Sequence, residues 1–536
     1  MNAMFVREKT FKNKDGSTRT YLQLVESVRE DGRMRQKVIA NLGRLDQLRA
    51  DGQLERLAEG LARYANLKLV KEKAAEARTG IKTGRDREWG PALVFKALWD
   101  RLGIGAIMRD LVGKTEMEFD VDAALFAMTL NRLCDPCSKL GVSRWVDTVY
   151  CPSLEGLELQ HYYRALDFLA GQKETIEERL FAQVRDLFHL KLDIVFWDTT
   201  STYLEGKGPE PLARFGHSKD SRPDRLQLVL GLLMTREGIP VAHEVFPGNT
   251  SDIKTFISVL KALKQRFQIG RVILVGDRGM VSESVLEEIE AENLEYIVGV
   301  KMRKAKAVRE VLSRAGRYKQ VKGNLKVKEV EHKGHRYVVC LNPEEASRDR
   351  HTREEMVVKL KERLRKDGLK SLVGNSGYRR YLKVAGTDAA IDEDTVKEEE
   401  RYDGKYVLRT NNRSLHPDEV ALAYKELWRV EQAFRELKSG LDLRPIFHWT
   451  ETRVRGHIMV CFLAFLLQSA LHRRLEEAKS GVSYTDLIHD LKQIRAFELE
   501  LDGVGYLLRP PLYGCSYEGF KAVGIRPPAE AIAMPR

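Results

Sequence analysis

The sequence predicts a mixed α/β protein. Two short apolar runs each end on an aspartate: LDIVFW before Asp198 and RVILVG before Asp277. Runs of this length bounded by turn residues are the profile of strands buried on both faces. Around them the chain reads β-β-β-α-β-α-β, with hydrophobic periodicity switching between strand and helix spacing. In such sheets functional groups gather at the carboxyl ends of strands.

The chain has 536 residues, enough for two to four domains and a large core. Its 90 Lys and Arg outweigh 78 Asp and Glu, a formal charge of +12. That balance suits contact with polyanions. Six cysteines in this length argue against a disulfide scaffold and fit a reducing compartment. Cys134 and Cys137 form one CxxC with no second pair following. Cys151 and His161 are poorly spaced to complete a zinc site, so small buried thiols near a turn are the reading. The opening MNAMFVREKT has no apolar run after its charges, so no signal peptide is expected. The longest apolar run, Ile458–Leu467, is well short of a membrane span and reads as a buried helix.

In chain order, residues 1–45 alternate as a basic three-stranded meander with Asp15-Gly16 and Asp31-Gly32 at its turns. Residues 46–190 read as a helical region. Leu45 to Lys73 is helical, Ala74–Asp86 a polar linker, and Pro91–Val112 an amphipathic helix that Gly103 and Gly105 divide. Val121–Leu133 is a helix ended by Asp135-Pro136, and helices follow through Ser143–Val149 and Gln160–Leu190. The core runs over 191–300. Its strands are the Asp198 run, Leu226–Met234, Ile239–Phe246 after a turn at Arg236-Glu237-Gly238, the Asp277 run and Leu294–Val300. Its helices are Thr255–Phe267 and Val281–Glu290.

Residues 301–410 read as a β-rich insertion, opened by a run from Lys301 to Lys322 with nine Lys or Arg and one Glu. The run is either a solvated face or a phosphate contact. The core resumes over 411–477. Residues 478–536 are a last helix at Ser483–Phe497 and a tail rich in Pro and Gly.

Tyr424–Leu441 reads as one helix, with no Gly or Pro before Gly440. Tyr424, Glu431 and Lys438 stand seven apart, which puts them on one face. That face carries a carboxylate between an aromatic hydroxyl and cations. Asp198, Asp277 and Glu431 are therefore the candidate catalytic residues. Bare carboxylates at buried strand ends are costly unless compensated, and divalent cations compensate them well. Two Mg²⁺ or Mn²⁺ ions about 4 Å apart would activate an attacking hydroxyl and stabilise the leaving oxygen. Asp198 would bridge both ions; Asp277 and Glu431 would each hold one. His217 and Lys219, in RFGHSKDSRPD, suit a mobile loop near the site. Trp428, Trp449 and Trp197 are each either core or a platform for an unpaired base.

These motifs resemble a known family. VESVREDGRMRQKVIANLGRL, DPCSKL, FWDTTSTYLEG, PVAHEVFPGNTSD, VGDRGM, DGKYVLRTN and YKELWRVEQAFRELKS together resemble the DDE transposases of bacterial insertion sequences, in the insertion sequence 4 superfamily and its branch typed by insertion sequence 1634. The superfamily signature Tyr-x2-Arg-x3-Glu-x6-Lys is matched by Tyr424, Glu431 and Lys438. Leu427 stands at the arginine position, and Arg429 is the alternative phosphate contact.

The resemblance implies a ribonuclease H-like catalytic core with a β-rich insertion, an N-terminal hairpin and a helical region that reads DNA ends. It also implies metal-dependent cleavage at element ends and strand transfer into target DNA. The expected partner is double-stranded DNA, as terminal inverted repeats and target, held by a homodimer on paired ends. No membrane is expected; the setting is the bacterial cytoplasm, at the nucleoid. Tyr424, Trp428, Arg429, Lys438 and Arg278 are the expected DNA contacts. The rivals are a nuclease without strand transfer and a non-catalytic repressor derived from a transposase.

Overall fold

The computed structural model describes residues 4–12, 18–30, 33–50, 53, 57, 81–188, 194–250, 253–267, 273–276, 282–303, 305–367, 376–385, 388–501 and 503–534. Two compact units result. One holds residues 1–85, 497–508 and 531–536, and the other 86–496 and 509–530.

In the smaller unit, strands β1 (Met4–Lys12), β2 (Thr18–Glu30) and β3 (Arg33–Arg44) form an antiparallel meander. β1 pairs with β2 from Met4 opposite Glu26 to Lys12 opposite Thr18. The turns at Asp15-Gly16 and Asp31-Gly32 lie outside the described residues, as does most of the expected helix after Leu45. Part of the expected linker is instead strand β4 (Ile81–Glu88). It is the edge of a four-stranded sheet with strands from near the C-terminus. Its polar residues hide it from periodicity because edge strands need bury little apolar surface.

The larger unit is built on one nine-stranded mixed sheet. Its strands are β5 (Ile194–Tyr203), β6 (Gln227–Thr235), β7 (Pro240–Pro247), β8 (Ile273–Gly276), β9 (Glu295–Gly299), β10 (Lys319–Gln320), β11 (Lys326–His332), β12 (His335–Leu341) and β15 (Lys405–Thr410). A hairpin of β13 (Leu382–Ala385) and β14 (Asp388–Ile391) stands apart from that sheet. The order is β10-β11-β12-β15-β9-β8-β5-β6-β7. β5, β6 and β7 are antiparallel neighbours, while β8 and β9 continue parallel to β5. This realises the β-β-β-α-β-α-β order, with helices Ile253–Arg266 and Glu283–Ala291 as the connections.

Most strands of residues 301–410 belong to the core sheet, the β13–β14 hairpin excepted. β15 pairs antiparallel with β9, so β10, β11, β12 and β15 extend the core sheet. The same stretch also carries helices Lys306–Ser313 and Pro343–Asp367.

β5 corrects one expectation. Asp198 does not end its strand, which runs on through Thr199, Thr200, Ser201, Thr202 and Tyr203. β-branched and aromatic residues favour that extension, and β6 pairs with all of it, Asp198 opposite Leu232 and Tyr203 opposite Gln227. Among the described residues the ladder from β5 to β8 ends sooner, at Phe196 opposite Val275.

The sheet is backed by long helices. Leu159–Phe188 and Glu451–Glu477 pack together, with Gly456 at their closest approach; a Cβ there would lie 2.2 Å from the Leu166 carbonyl oxygen. Glu451–Glu477 is long and apolar enough to cross a membrane, but 94% of its most apolar stretch is buried inside the protein, as a core helix would be. Gly103, at φ 68°, separates helices Gly90–Arg101 and Ile104–Val112 as expected.

At the C-terminus the expected Ser483–Phe497 helix stops at Lys492, and β16 (Arg495–Leu501) pairs with β17 (Val504–Leu508). The expected tail holds helix Ser516–Ala522, whose Phe520 is fully buried, and strand β18 (Ala531–Ala533). An isolated seven-residue helix gives little periodic signal; its stability comes from packing.

Candidate active site

The single helix expected over Tyr424–Leu441 is three segments. Pro417–Lys425 is α-helical, Trp428–Arg435 is a second α-helix, and Glu436–Gly440 is a π turn. At the first junction the backbone bonds tighten to i→i+3, with Leu427 N–H on the Tyr424 carbonyl and Arg429 N–H on that of Glu426. Glu426 there meets Arg236 of the β6–β7 turn at 2.7 Å. At the second junction the bond widens to i→i+5, Leu441 N–H to the Glu436 carbonyl at 2.8 Å. A tight step and a wide one in the same run break the even seven-residue stripe. Tyr424, Glu431 and Lys438 therefore lie on three different segments. Local propensity could not show this, because the distortions answer to tertiary partners.

The Trp428–Arg435 helix, which carries Glu431, packs against β5, which carries Asp198. Asp198 is half-buried and its Oδ1 accepts the Thr199 N–H at 2.7 Å. Glu431 is exposed, and among the described residues its side chain makes no ion pair or hydrogen bond. Asp277 and Arg278 lie outside the described residues; β8 ends at Gly276, the residue before Asp277. Among the described residues no group of three acids, histidines or cysteines could hold a metal ion. β5 and β8 run parallel in constant register, Ile194 with Ile273 through Phe196 with Val275. That offset equals the chain separation between Asp198 and Asp277.

Of the other singled-out residues, Tyr424 is half-buried, its ring 5.8 Å from that of Tyr406. Trp428 is 51% exposed with the Arg429 guanidinium 5.4 Å above its ring. Trp428 and Gln432 of this helix and Glu436 of the π turn line a cavity of about 350 Å³ together with Gln468, His472 and Tyr484. Trp449 is 73% exposed, whereas Trp197 is fully buried against Gly231 of β6. Trp197 is thus a core residue and stacks no base.

Lys438 does not stand open. Its side chain is 9% exposed and its ammonium lies 2.8 Å from Asp220, which also holds Arg444 at 3.1 Å. The loop expected to be mobile is pinned to β5 through Lys219, whose backbone N–H donates to Ser201 Oγ at 2.7 Å and whose ammonium donates to the Thr199 carbonyl at 2.5 Å. Asp220 and Arg444 were missed in the sequence. The charged RFGHSKDSRPD stretch marks the loop, but nothing local pairs Asp220 with residues more than two hundred positions away.

Residues 6–74 match the family described as the N-terminal domain of IS1634 family transposases. Residues 191–467, more than half of the chain, match the transposase DDE domain. No curated protein matches. Among solved structures, the piggyBac transposase synaptic complex with hairpin DNA is 10% identical, with 75% of this chain and 79% of that one covered and a TM-score of 0.35. The Mos1 transposase paired-end complex with the left transposon end is 14% identical, with 34% of this chain and 60% of that one covered and a TM-score of 0.15. Neither score is high enough to carry an argument; the two family matches do. The chain belongs to the DDE transposases, in the IS1634 family, and its chemistry is transposition at DNA ends.

Proposed function

We propose that Asp198, Asp277 and Glu431 are the acids of a two-metal site on a ribonuclease H-like core, cleaving DNA at the ends of an insertion sequence and joining the freed 3′ ends to target DNA. One observation supports this: the parallel register of β5 and β8, Ile194 with Ile273 through Phe196 with Val275, has the same offset as Asp198 and Asp277, so a chain that kept it would bring the two acids level. Adjacent strands lie about 4.8 Å apart, a spacing that suits two carboxylates sharing ions. The Glu431 helix, packed on β5, would supply the third acid. The donors are all carboxylate oxygens, which suit hard cations such as Mg²⁺ or Mn²⁺. Glu431 is exposed and makes no ion pair among the described residues, which leaves its side chain open to such an ion.

In this reading Asp198, Asp277 and Glu431 would together hold the ions. Bound divalent ions lower the pKa of an attacking hydroxyl and offset charge on the leaving oxygen. The chain's part is to fix those carboxylates in place. The strand β5 is held by β6 from Val195 to Tyr203, and the helix is held by its buried face of Val430, Ala433 and Phe434. Trp428, Arg429 and Arg278 are proposed DNA contacts. Tyr424 braces the segment before them through Tyr406, and Lys438 reaches a phosphate only by leaving Asp220. The helices before β5 read terminal repeats, in a homodimer on paired ends, in the bacterial cytoplasm at the nucleoid. Binding by cationic side chains falls steeply with salt.

The test supplies the protein with Mg²⁺ and either intact terminal DNA of its own element, to read nicking, or pre-cut ends and a supercoiled target, to read joining. Joined products are expected. Nicked ends with no joined product would make the chain a nuclease, and DNA binding with neither would make it a repressor.

A further inference from the structure

Two consecutive residues tie the strand of one proposed acid to the segment after the other. Lys219 is bonded to β5 through Ser201 Oγ and through the carbonyl of Thr199, the residue next to Asp198. Asp220 takes Lys438, seven residues after Glu431, and Arg444, both on Oδ1. The Asp220 and Lys438 side chains are 6% and 9% exposed, so the pair is shielded from water and salt. Arg444 is itself anchored beside β5. Its guanidinium lies 5.9 Å from the Tyr203 ring, and two residues on, Ile446 N–H donates to the Tyr203 carbonyl at 3.2 Å. Lys438 falls in the π turn, where the helix has left its regular path.

We propose that Lys219-Asp220 is a strap that sets the Glu431 helix against Asp198, with Asp220 as its positioning residue. A buried ion pair contributes little net stability compared with an apolar pair, but it tolerates little displacement, because a separated partner is left charged and unsolvated. That is the property needed of a group that holds two carboxylates at a metal-binding distance. Partners behind metal ligands characteristically change metal affinity about 10- to 100-fold when removed. The strap rests on the reading of Asp198 and Glu431 as the metal-holding acids.

The experiment uses the full chain, a duplex carrying the terminal repeats of its own element, and a Mn²⁺ titration of nicking. Duplex affinity and melting temperature are measured on the same preparations. For Asp220→Asn the metal concentration for half-maximal nicking is expected to rise about tenfold or more, with duplex affinity no weaker than that of the parent. The double variant Asp220→Asn/Lys438→Gln is expected to shift no further than Asp220→Asn alone. An unmoved metal midpoint, with nicking reduced only in step with the folded fraction, would overturn the strap, and so would additive shifts in the double variant. Should Asp220→Asn fail to fold, Asp220→Glu, which keeps the charge but displaces it by one methylene, is read by the same criterion. Glu431→Ala separates the two claims. If it nicks like the parent, the metal-site reading fails; if it is inactive while the Asp220 variants keep the parental midpoint, the strap alone fails.

Discussion

Gly231→Ala should distort the strand that carries Asp198. Gly231 lies on β6 opposite Thr199. A Cβ built on it would stand 2.4 Å from Cζ2 and 2.6 Å from Cη2 of Trp197. Favourable carbon contacts are about 3.5–4.0 Å, so the ring must retreat by more than an ångström. It has nowhere to go: Trp197 is fully buried in a cluster with Phe181, Leu233 and Tyr296. Overpacking of this kind costs about 1–3 kcal/mol. In a large domain that corresponds to a fall in melting temperature of roughly 2–12 °C. Because Trp197 precedes Asp198, nicking at saturating Mn²⁺ should fall further than the lost folded fraction explains. Differential scanning calorimetry and the nicking assay check both parts. Replacing Trp197 by Leu in the Gly231→Ala background should recover part of the stability. A Gly231→Ala protein that melts with the parent would refute the packing argument.

Two further outcomes are expected. Glu177 is fully buried, with Lys173 at 3.1 Å, His243 Nδ1 at 2.8 Å and Arg266 in contact. Burial alone would raise its pKa, but the charges of Lys173 and Arg266 and the contact with His243 outweigh it and hold the carboxyl down at about 2. A depressed carboxylate contributes stability that is present above its ordinary value, about 4.5, and is lost as pH falls toward 2. Acid melting curves should show that loss, and Glu177→Gln should flatten it while costing about 3–5 kcal/mol at neutral pH; an unchanged acid limb would contradict this. Trp428→Ala should change stability by less than about 0.5 kcal/mol, since the ring is half exposed. If the ring stacks on DNA, it should weaken duplex or single-strand binding by about 1–3 kcal/mol, and unaltered binding would remove Trp428 from the DNA contacts.

The parts of the fold set by local pattern were legible in the sequence. The existence of the buried strands β5 and β8, the Gly103 break and the β6–β7 turn all follow from periodicity and turn chemistry. What depended on distant partners was not. β4 is polar and becomes a strand because β16 pairs with it some four hundred residues later. The segment 301–410 looks separate in sequence but joins the core sheet through β15 and β9. The even stripe of Tyr424, Glu431 and Lys438 was a sound inference from an ideal helix, and the tight turn at Glu426 and the π turn at Glu436 break it. The Asp220 ion pairs were out of reach for the same reason, since no spacing rule links a loop aspartate to a lysine on a late helix.

The measurement that bears most directly on the account is Mn²⁺-dependent nicking of terminal-repeat DNA by Asp198→Ala, Asp277→Ala and Glu431→Ala, each confirmed folded by its melting curve. Each variant should bind the duplex and yield no nicked product at any metal concentration. Parental nicking by all three would place the chemistry elsewhere in the chain and contradict the account.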